Sequence, residues 1–319
     1  MKRLRAVLAG AGKLGPFWAR ELVLSPGTEL VGWVDVEPSR VMEAAAALGV
    51  SVPAGRELGS MLREHRPDFV VNVTPPAAHH AITLAAFEHG AHVLSEKPLA
   101  TSMPEAREMV AAADRAGRLL MVSQNRRYMP ELQSFREEVA RLGPLSSLTC
   151  EFHRNHREHA AEFLLAFPQP LLLDMAIHLF DAARALTGAD PLSVYCDSYS
   201  PPWSWYEGPA AAAALFRMSG DLRFSFVGNW AAPRDETGWT GWWRAIGEGG
   251  IATWDGEDPP DRDPTRFRGL EAALADFVAA VRTGRVPQGE AHDNLKSLAM
   301  CHAAVESAAL GAPVTVDGR

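Results

Sequence analysis

The sequence predicts an α/β protein: an N-terminal doubly wound parallel sheet, then an α+β domain with a large, open, mostly antiparallel sheet. Three observations carry that expectation. Over residues 1–123 short apolar runs alternate with helical patterns, as parallel strands joined by crossover helices do. Beyond residue 124 longer strand-like runs follow one another with few helices between them. A glycine-rich turn, "AGAGKLG", separates the first apolar run from the first helical pattern. A chain of 319 residues has room for two domains. They are expected over 1–123 and 124–319, with the C-terminal helix free to pack back on the first.

Element by element, the first domain reads as strands Leu4–Ala9, Leu30–Asp35, Phe69–Val73, His92–Ser95 and Leu119–Val122. Helical spacing predicts Phe17–Leu24, Pro38–Leu48, Ala78–His89 and Met103–Ala116 between them. The second domain opens with a helix over Pro130–Arg141. Strands are expected at Ser147–His153, Ser193–Ser198, Ala211–Met218, Leu222–Trp230, Trp242–Gly247 and Ile251–Trp254. Among them "LLLDMAIHLFD" (171–181) reads as a buried helix, apolar on most faces. Its Asp174, His178 and Asp181 share one face at i, i+4 and i+7. A polar loop at 255–266 and helices Leu270–Arg282 and Asn294–Leu310 complete the chain.

Bulk composition narrows the function. Hydrophobic residues make up 47% and charged residues 22%, an ordinary soluble balance, and the formal net charge is −8. That charge argues against a nucleic-acid partner. Three dispersed cysteines, in no CxxC pair, argue against a disulfide framework or a thiolate zinc site. No run of 18 apolar residues predicts a membrane span, and the apolar run near the start is too short for a signal peptide. A cytoplasmic location is the expectation.

Gly10, Gly12 and Gly15 form GxGxxG between a strand and a helix, and Asp35 closes the next strand. In that context the pattern reads as a dinucleotide site. Gly10 permits the tight turn, Gly12 the approach of backbone N–H groups to a pyrophosphate, and Gly15 close helix–strand packing. Lys13 and Leu14 complete the loop at the positive end of the helix. Asp35 is placed to bind a free ribose hydroxyl and to repel a 2′-phosphate. NAD is therefore expected, with NADP kept open because Arg40 follows; as an alternative, Arg40 is a solvated helix-surface residue.

Two further groups carry chemistry. Glu96-Lys97-Pro98 directly follows an apolar strand, and ligands sit at the carboxyl ends of parallel strands. Lys97 is either a cation beside a reacting oxygen or a loop lysine paired with Glu96. The stripe on 171–181 costs several kcal/mol to bury unless its groups are paired or used. Taken alone, Asp174 also fits a helix N-cap, His178 a satisfied core histidine and Asp181 a structural ion pair.

The order of these motifs resembles a known family. The glycine loop, Asp35, "VTPPAAHH" (73–80), "HVLSEKPLA" (92–100), "QNRRYMP" (124–130), the Asp174/His178 helix and "ESAALGAPVTV" near the end look like the Gfo/Idh/MocA oxidoreductases. The likeness spans nearly the whole chain. It implies a Rossmann domain and hydride transfer between a nicotinamide and a hydroxyl-bearing carbon of a sugar, cyclitol or related polyol. It places the family's catalytic lysine on Lys97, its acid on Asp174 and its histidine on His178, with a cis Lys97–Pro98 peptide. Thr74, Pro75, His79 and Glu96 join the cofactor set by the same likeness. In that scheme His178 is the general base, Asp174 orients it and Lys97 stabilises alkoxide charge. The chain departs from the family's pattern at "FPQPLLL" before Asp174, and Met175, Ala176 and Ile177 stand where a glycine is often found.

Other features are assigned to the substrate side or to structure. Arg127, Arg154, Asn155 and Trp230 are the candidate substrate contacts. His153, His156 and His159 have no clear third ligand, so no metal is expected. The tryptophans at 203, 205, 230, 239, 242 and 243 suggest a sheet face that meets another subunit, giving a homodimer or homotetramer. Competing functions are an NAD-dependent glycoside hydrolase, and a dinucleotide-dependent sensor without catalysis.

Overall fold

The computed structural model describes residues 2–157, 165–234, 237–259, 263 and 266–318. His159 and much of the expected loop 255–266 lie outside the described residues. Thirteen strands are described: β1 Leu4–Ala9, β2 Thr28–Val34, β3 Ala54–Gly55, β4 Phe69–Asn72, β5 His92–Glu96, β6 Leu120–Ser123, β7 Leu145–His153, β8 Pro191–Tyr199, β9 Ala211–Met218, β10 Arg223–Asn229, β11 Trp242–Gly247, β12 Gly250–Trp254 and β13 Val314–Thr315. The α-helices among the described residues are α1 Gly15–Leu24, α2 Pro38–Leu48, α3 Leu58–His65, α4 Pro76–Glu88, α5 Met103–Ala116, α6 Pro130–Arg141, α7 Ala176–Thr187, α8 Leu270–Thr283 and α9 Ala291–Leu310.

The chain divides into two units, Met1–Tyr128 with Pro264–Leu295, and Met129–Asp263 with Lys296–Arg319. The division thus falls at 128/129 rather than 123/124. The returning segment brings α8 and the start of α9 into the first unit, and the boundary lies inside α9.

The first unit is a six-stranded parallel sheet in the order β3-β2-β1-β4-β5-β6. Its central strands read as continuous apolar runs because helices cover both faces. β4 is buried throughout, and Phe69 on it packs against Phe277 of α8 with ring centroids 5.2 Å apart. Local signals set the helix limits. Ser102 caps α5 by accepting the Glu105 N–H and donating to the Glu105 carboxylate at 3.2 Å, a reciprocal capping pair. Strands β1, β4, β5 and β6 end in register, so the loops after them emerge on one sheet edge.

The second unit holds a seven-stranded sheet in the order β12-β11-β7-β10-β9-β8-β13. It is mixed: β10 pairs with β7 in parallel and the other pairs are antiparallel. Alternation gives one apolar face, where Phe180 of α7 packs edge-on against Phe216 and Phe226 at 4.9 and 5.2 Å. The other face carries exposed side chains such as Tyr195, Leu215, Val227 and Ile246. Trp242 and Trp243 illustrate the alternation: Trp243 is fully buried, while Trp242 faces outward under the Arg244 guanidinium at 5.1 Å. The tryptophans therefore do not share one sheet face.

Candidate active site

The three glycines of the loop do different work. Gly10 sits at φ +107°, where an added Cβ would lie 2.7 Å from the Val73 carbonyl oxygen. At Gly15 a Cβ would lie 2.7 Å from the Gly10 carbonyl oxygen and 3.3 Å from the Trp33 ring. A Cβ on Gly12 would meet nothing within 4 Å. Gly10 and Gly15 therefore hold backbones together, and Gly12 borders open space at the start of α1. An exposed backbone turn ahead of a ten-residue helix is a cradle suited to an anionic pyrophosphate. Lys13 is exposed and Leu14 half-buried beside it.

Asp35 lies just beyond β2, its carboxylate tied to this loop. Oδ2 accepts the Ala11 N–H at 2.7 Å and Oδ1 the Glu37 N–H at 2.9 Å. A carboxylate has about four acceptor positions, so the fixed group retains sites for ribose hydroxyls. Arg40 is exposed and pairs with Glu37 at 2.9 Å, which turns it to its own helix.

The next two loops follow β4 and β5. Thr74 donates its hydroxyl to Asn72 Oδ1 at 2.7 Å, and Pro75 opens α4. His79 is 1% exposed. Its Nδ1 lies 2.8 Å from the Pro98 carbonyl oxygen and its Nε2 2.9 Å from that of Thr74. Burial holds His79 below its ordinary value. Its ring thus joins the two loops from inside. The Lys97–Pro98 peptide is cis, as the family likeness implies. Lys97 is half-buried and follows Glu96, a 7% exposed carboxyl group that accepts from Trp18 Nε1 at 2.8 Å and from the Lys97 N–H at 3.2 Å.

The stripe of the second unit is not a simple α-helix. Pro170–Met175 forms a π-helical turn, in which the Ala176 N–H reaches back to the Leu171 carbonyl, and α7 begins only afterwards. Met175, not Asp174, is the capping residue of α7. Asp174 and His178 are half-exposed among buried neighbours, whereas Asp181 is 1% exposed. Asp181 accepts from Ser297 Oγ at 2.7 Å, and that hydroxyl accepts from Arg184 at 2.9 Å. Asp181 therefore belongs to an internal network. Burial pushes the Tyr206 hydroxyl up to about 12, and the nearby Asp174 charge adds to it.

The proposed substrate contacts are distributed unevenly. Arg127 is buried and pairs with Asp293 at 2.9 Å while donating to the Gln288 carbonyl, so it clamps the returning segment of the first unit. Arg154 donates to the Thr237 carbonyl at 2.8 Å and lies over the Trp239 ring at 5.4 Å. Asn155 is exposed and donates to the Pro233 carbonyl at 3.3 Å. Trp230 is 2% exposed and stacks on His156 at 4.7 Å; His156 in turn lies 3.2 Å from the Tyr206 hydroxyl. Sequence reasoning missed Tyr206 and Trp18, because neither belongs to a polar pattern. A cleft of about 500 Å³ in the second unit is lined by Glu151, His153, Thr237, Gly238, Trp242, Asp255 and Glu257. Asp174 and His178 are not among those residues. Among the described residues no group of three His, Cys, Asp or Glu side chains is arranged to hold a metal, and no helix is long and apolar enough to cross a membrane.

A glycine cradle at a helix N-terminus, with an acid fixed just beyond the second strand, defines a dinucleotide-binding α/β protein. Residues 4–124 match the model of an oxidoreductase family with an NAD-binding Rossmann fold, and residues 134–253 match that of the GFO/IDH/MocA C-terminal domain. The chain belongs to the Gfo/Idh/MocA oxidoreductases and is an NAD-binding enzyme of that family. It is 28% identical to the rhizopine catabolism protein MocA of Rhizobium meliloti, covering 96% of this chain and 95% of that one. It is 29% identical to inositol 2-dehydrogenase 4 of Saccharopolyspora erythraea, over 99% and 96%. The fold matches an oxidoreductase from Agrobacterium radiobacter solved with NAD+, L-tartaric acid and magnesium, with a TM-score of 0.90, 20% identity and 99% coverage of each chain.

Proposed function

We propose that the protein oxidises, and in reverse reduces, a hydroxyl-bearing carbon of a sugar, cyclitol or related polyol, with NAD preferred over NADP. The observation that carries this reading is Lys97, which emerges from β5 on the same sheet edge as the glycine loop after β1. The named activity of the inositol dehydrogenase relative supports the substrate class.

His178 takes the hydroxyl proton as general base and returns it in the reverse direction, since imidazole is the side chain best matched to neutral pH. Asp174 orients the imidazole and stabilises its charged form. Lys97 donates to the same oxygen and stabilises alkoxide charge as it develops. Gly12, the N-terminus of α1 and Asp35 hold the cofactor, which when bound supplies the hydride acceptor or donor. The Asp35 carboxylate supports NAD, because a 2′-phosphate would face its negative charge. Arg127, Arg154, Asn155 and Trp230 are the residues assigned to substrate contact.

The test is nicotinamide absorbance against a panel of sugars, cyclitols and sugar acids, with NAD and NADP separately. Turnover with a polyol is expected, falling by about 10²-fold or more in Lys97→Ala and His178→Ala with NAD still bound. Full turnover in both variants sinks the proton-handling assignment. No turnover across the panel favours a glycosidase or sensor instead.

A further inference from the structure

We propose that Trp18 is a positioning residue for the proton-handling lysine: its indole N–H fixes one oxygen of the Glu96 carboxylate, whose other oxygen holds the Lys97 backbone, setting a buried negative charge beside the Lys97 amine. The proposal rests on the assignment of Lys97 to proton handling.

Glu96 ends β5 and is 7% exposed, and Trp18 is fully buried. The indole Nε1 donates to Oε1 at 2.8 Å, and the Lys97 N–H donates to Oε2 at 3.2 Å. A buried carboxyl group prefers to be neutral unless donors and a cation compensate its charge. Burial raises Glu96 above its ordinary value overall, while the Trp18 hydrogen bond, the Lys97 charge and the Lys97 backbone N–H pull it part of the way back. The ionisable neighbour is Lys97; Trp18 and Ser123 are uncharged. Both oxygens are thus committed to one arrangement, with the carboxylate pinned against the Lys97 backbone.

Trp18 stands one turn into α1, the helix that opens at Gly15. The same rigid element therefore presents its N-terminus to the glycine loop and its indole to Glu96. Protonation of Glu96 weakens both hydrogen bonds and removes the counter-charge of the amine. Lys97 then loses its fixed backbone.

The experiment follows the indole N–H resonances of the nine tryptophans in full-length, isotope-labelled protein against pH, beside the pH profile of kcat in the reduction direction, where protonated His178 is the acid and so does not set the acid limb. The Trp18 signal is the one missing in Trp18→Phe. It is expected to titrate with the same midpoint as the acid limb of kcat. Trp18→Phe removes a donor to a charged group, so that limb moves up by about one to two pH units, while Kd for NAD stays within about threefold. Should that variant not fold, Glu96→Gln, which is expected to abolish the limb and lower kcat, and the wild-type titration decide the matter. A Trp18 indole signal that does not move where kcat falls overturns the proposal, as does a Trp18→Phe profile superimposable on wild type. Lys97→Ala separates the two readings: if it is inactive while Trp18→Phe is unchanged, only the positioning role falls. If Lys97→Ala is fully active, the catalytic assignment falls and takes this proposal with it.

Discussion

Alanine at each glycine of the first loop separates architecture from ligand binding. At Gly10 the substitution forces an L side chain to φ +107° and sets its Cβ 2.7 Å from a backbone oxygen. Backbone strain of about 1–3 kcal/mol and an overpacking cost of about 1–3 kcal/mol give a loss of about 2–6 kcal/mol. Gly15→Ala meets backbone at 2.7 Å without the unusual φ, so about 1–3 kcal/mol is expected. Gly12→Ala meets nothing and should change stability by no more than about 0.5 kcal/mol. Its Cβ occupies the space assigned to the pyrophosphate, so NAD should bind at least about tenfold more weakly. Urea unfolding with and without NAD reads both quantities. At a concentration 100 times the wild-type Kd, NAD stabilises the wild type by about 2.7 kcal/mol. A tenfold weaker variant retains only about 1.4 kcal/mol of that. Gly12→Ala unfolding early without NAD, or keeping the full ligand stabilisation, would refute the division of roles.

Two other expectations concern specificity and assembly. Asp35→Ala should weaken NAD binding by about tenfold or more, as loss of a charged hydrogen-bonding partner does, and NADP much less; calorimetric titration showing equal losses would discredit the ribose assignment. The outer face of the second sheet aligns Tyr195, Leu215, Ser225, Thr149 and Arg244 across consecutive strands, and we assign it to self-association. Sedimentation equilibrium should then give a dimer or tetramer that Leu215→Glu disperses, and a monomeric wild type would refute that assignment.

The elements easiest to read in the sequence carry their limits locally. Pro38–Leu48 and Met103–Ala116 match to the residue, because proline stands in the first two positions of each and glycine follows each. β3 and β13 are two residues long, too short to show a period. The parallel pairing of β10 with β7 depends on strand direction, which side-chain alternation does not encode. The π-helical turn at Pro170–Met175 adds one residue inside a run that is apolar except for Asp174, where periodicity has little to register. Glycines and acids of the site were legible because chemistry restricts residue type there. Arg127 shows the limit: its basic character was plain, but its partner Asp293 lies far along the chain. Trp18 was hidden more fully, since an indole on a buried helix face looks like core until its Glu96 partner is seen.

The polar stripe on residues 171–181 is read as holding two kinds of acid, and their variants should fail in different ways. Ser297 stands between Asp181 and Arg184, with all three buried. Ser297→Ala removes two hydrogen bonds to charged groups, each worth about 1.5–3 kcal/mol. Other partners of Asp181 and Arg184 absorb part of that, so a loss of about 2–4 kcal/mol is expected, with kcat within about threefold of wild type. Asp174 is half-exposed. Asp174→Asn keeps its shape and removes its charge, so stability should move by no more than about 1 kcal/mol. If the proposed assignment holds, turnover should fall at least about tenfold, because the charge proposed to stabilise the imidazolium is lost. Urea unfolding and steady-state kinetics on the two variants suffice. If Asp174→Asn proves destabilised but fully active, Asp174 is structural. If Ser297→Ala proves stable but inactive, the network around Asp181 belongs to the reaction, and the boundary between framework and chemistry on this helix must be moved.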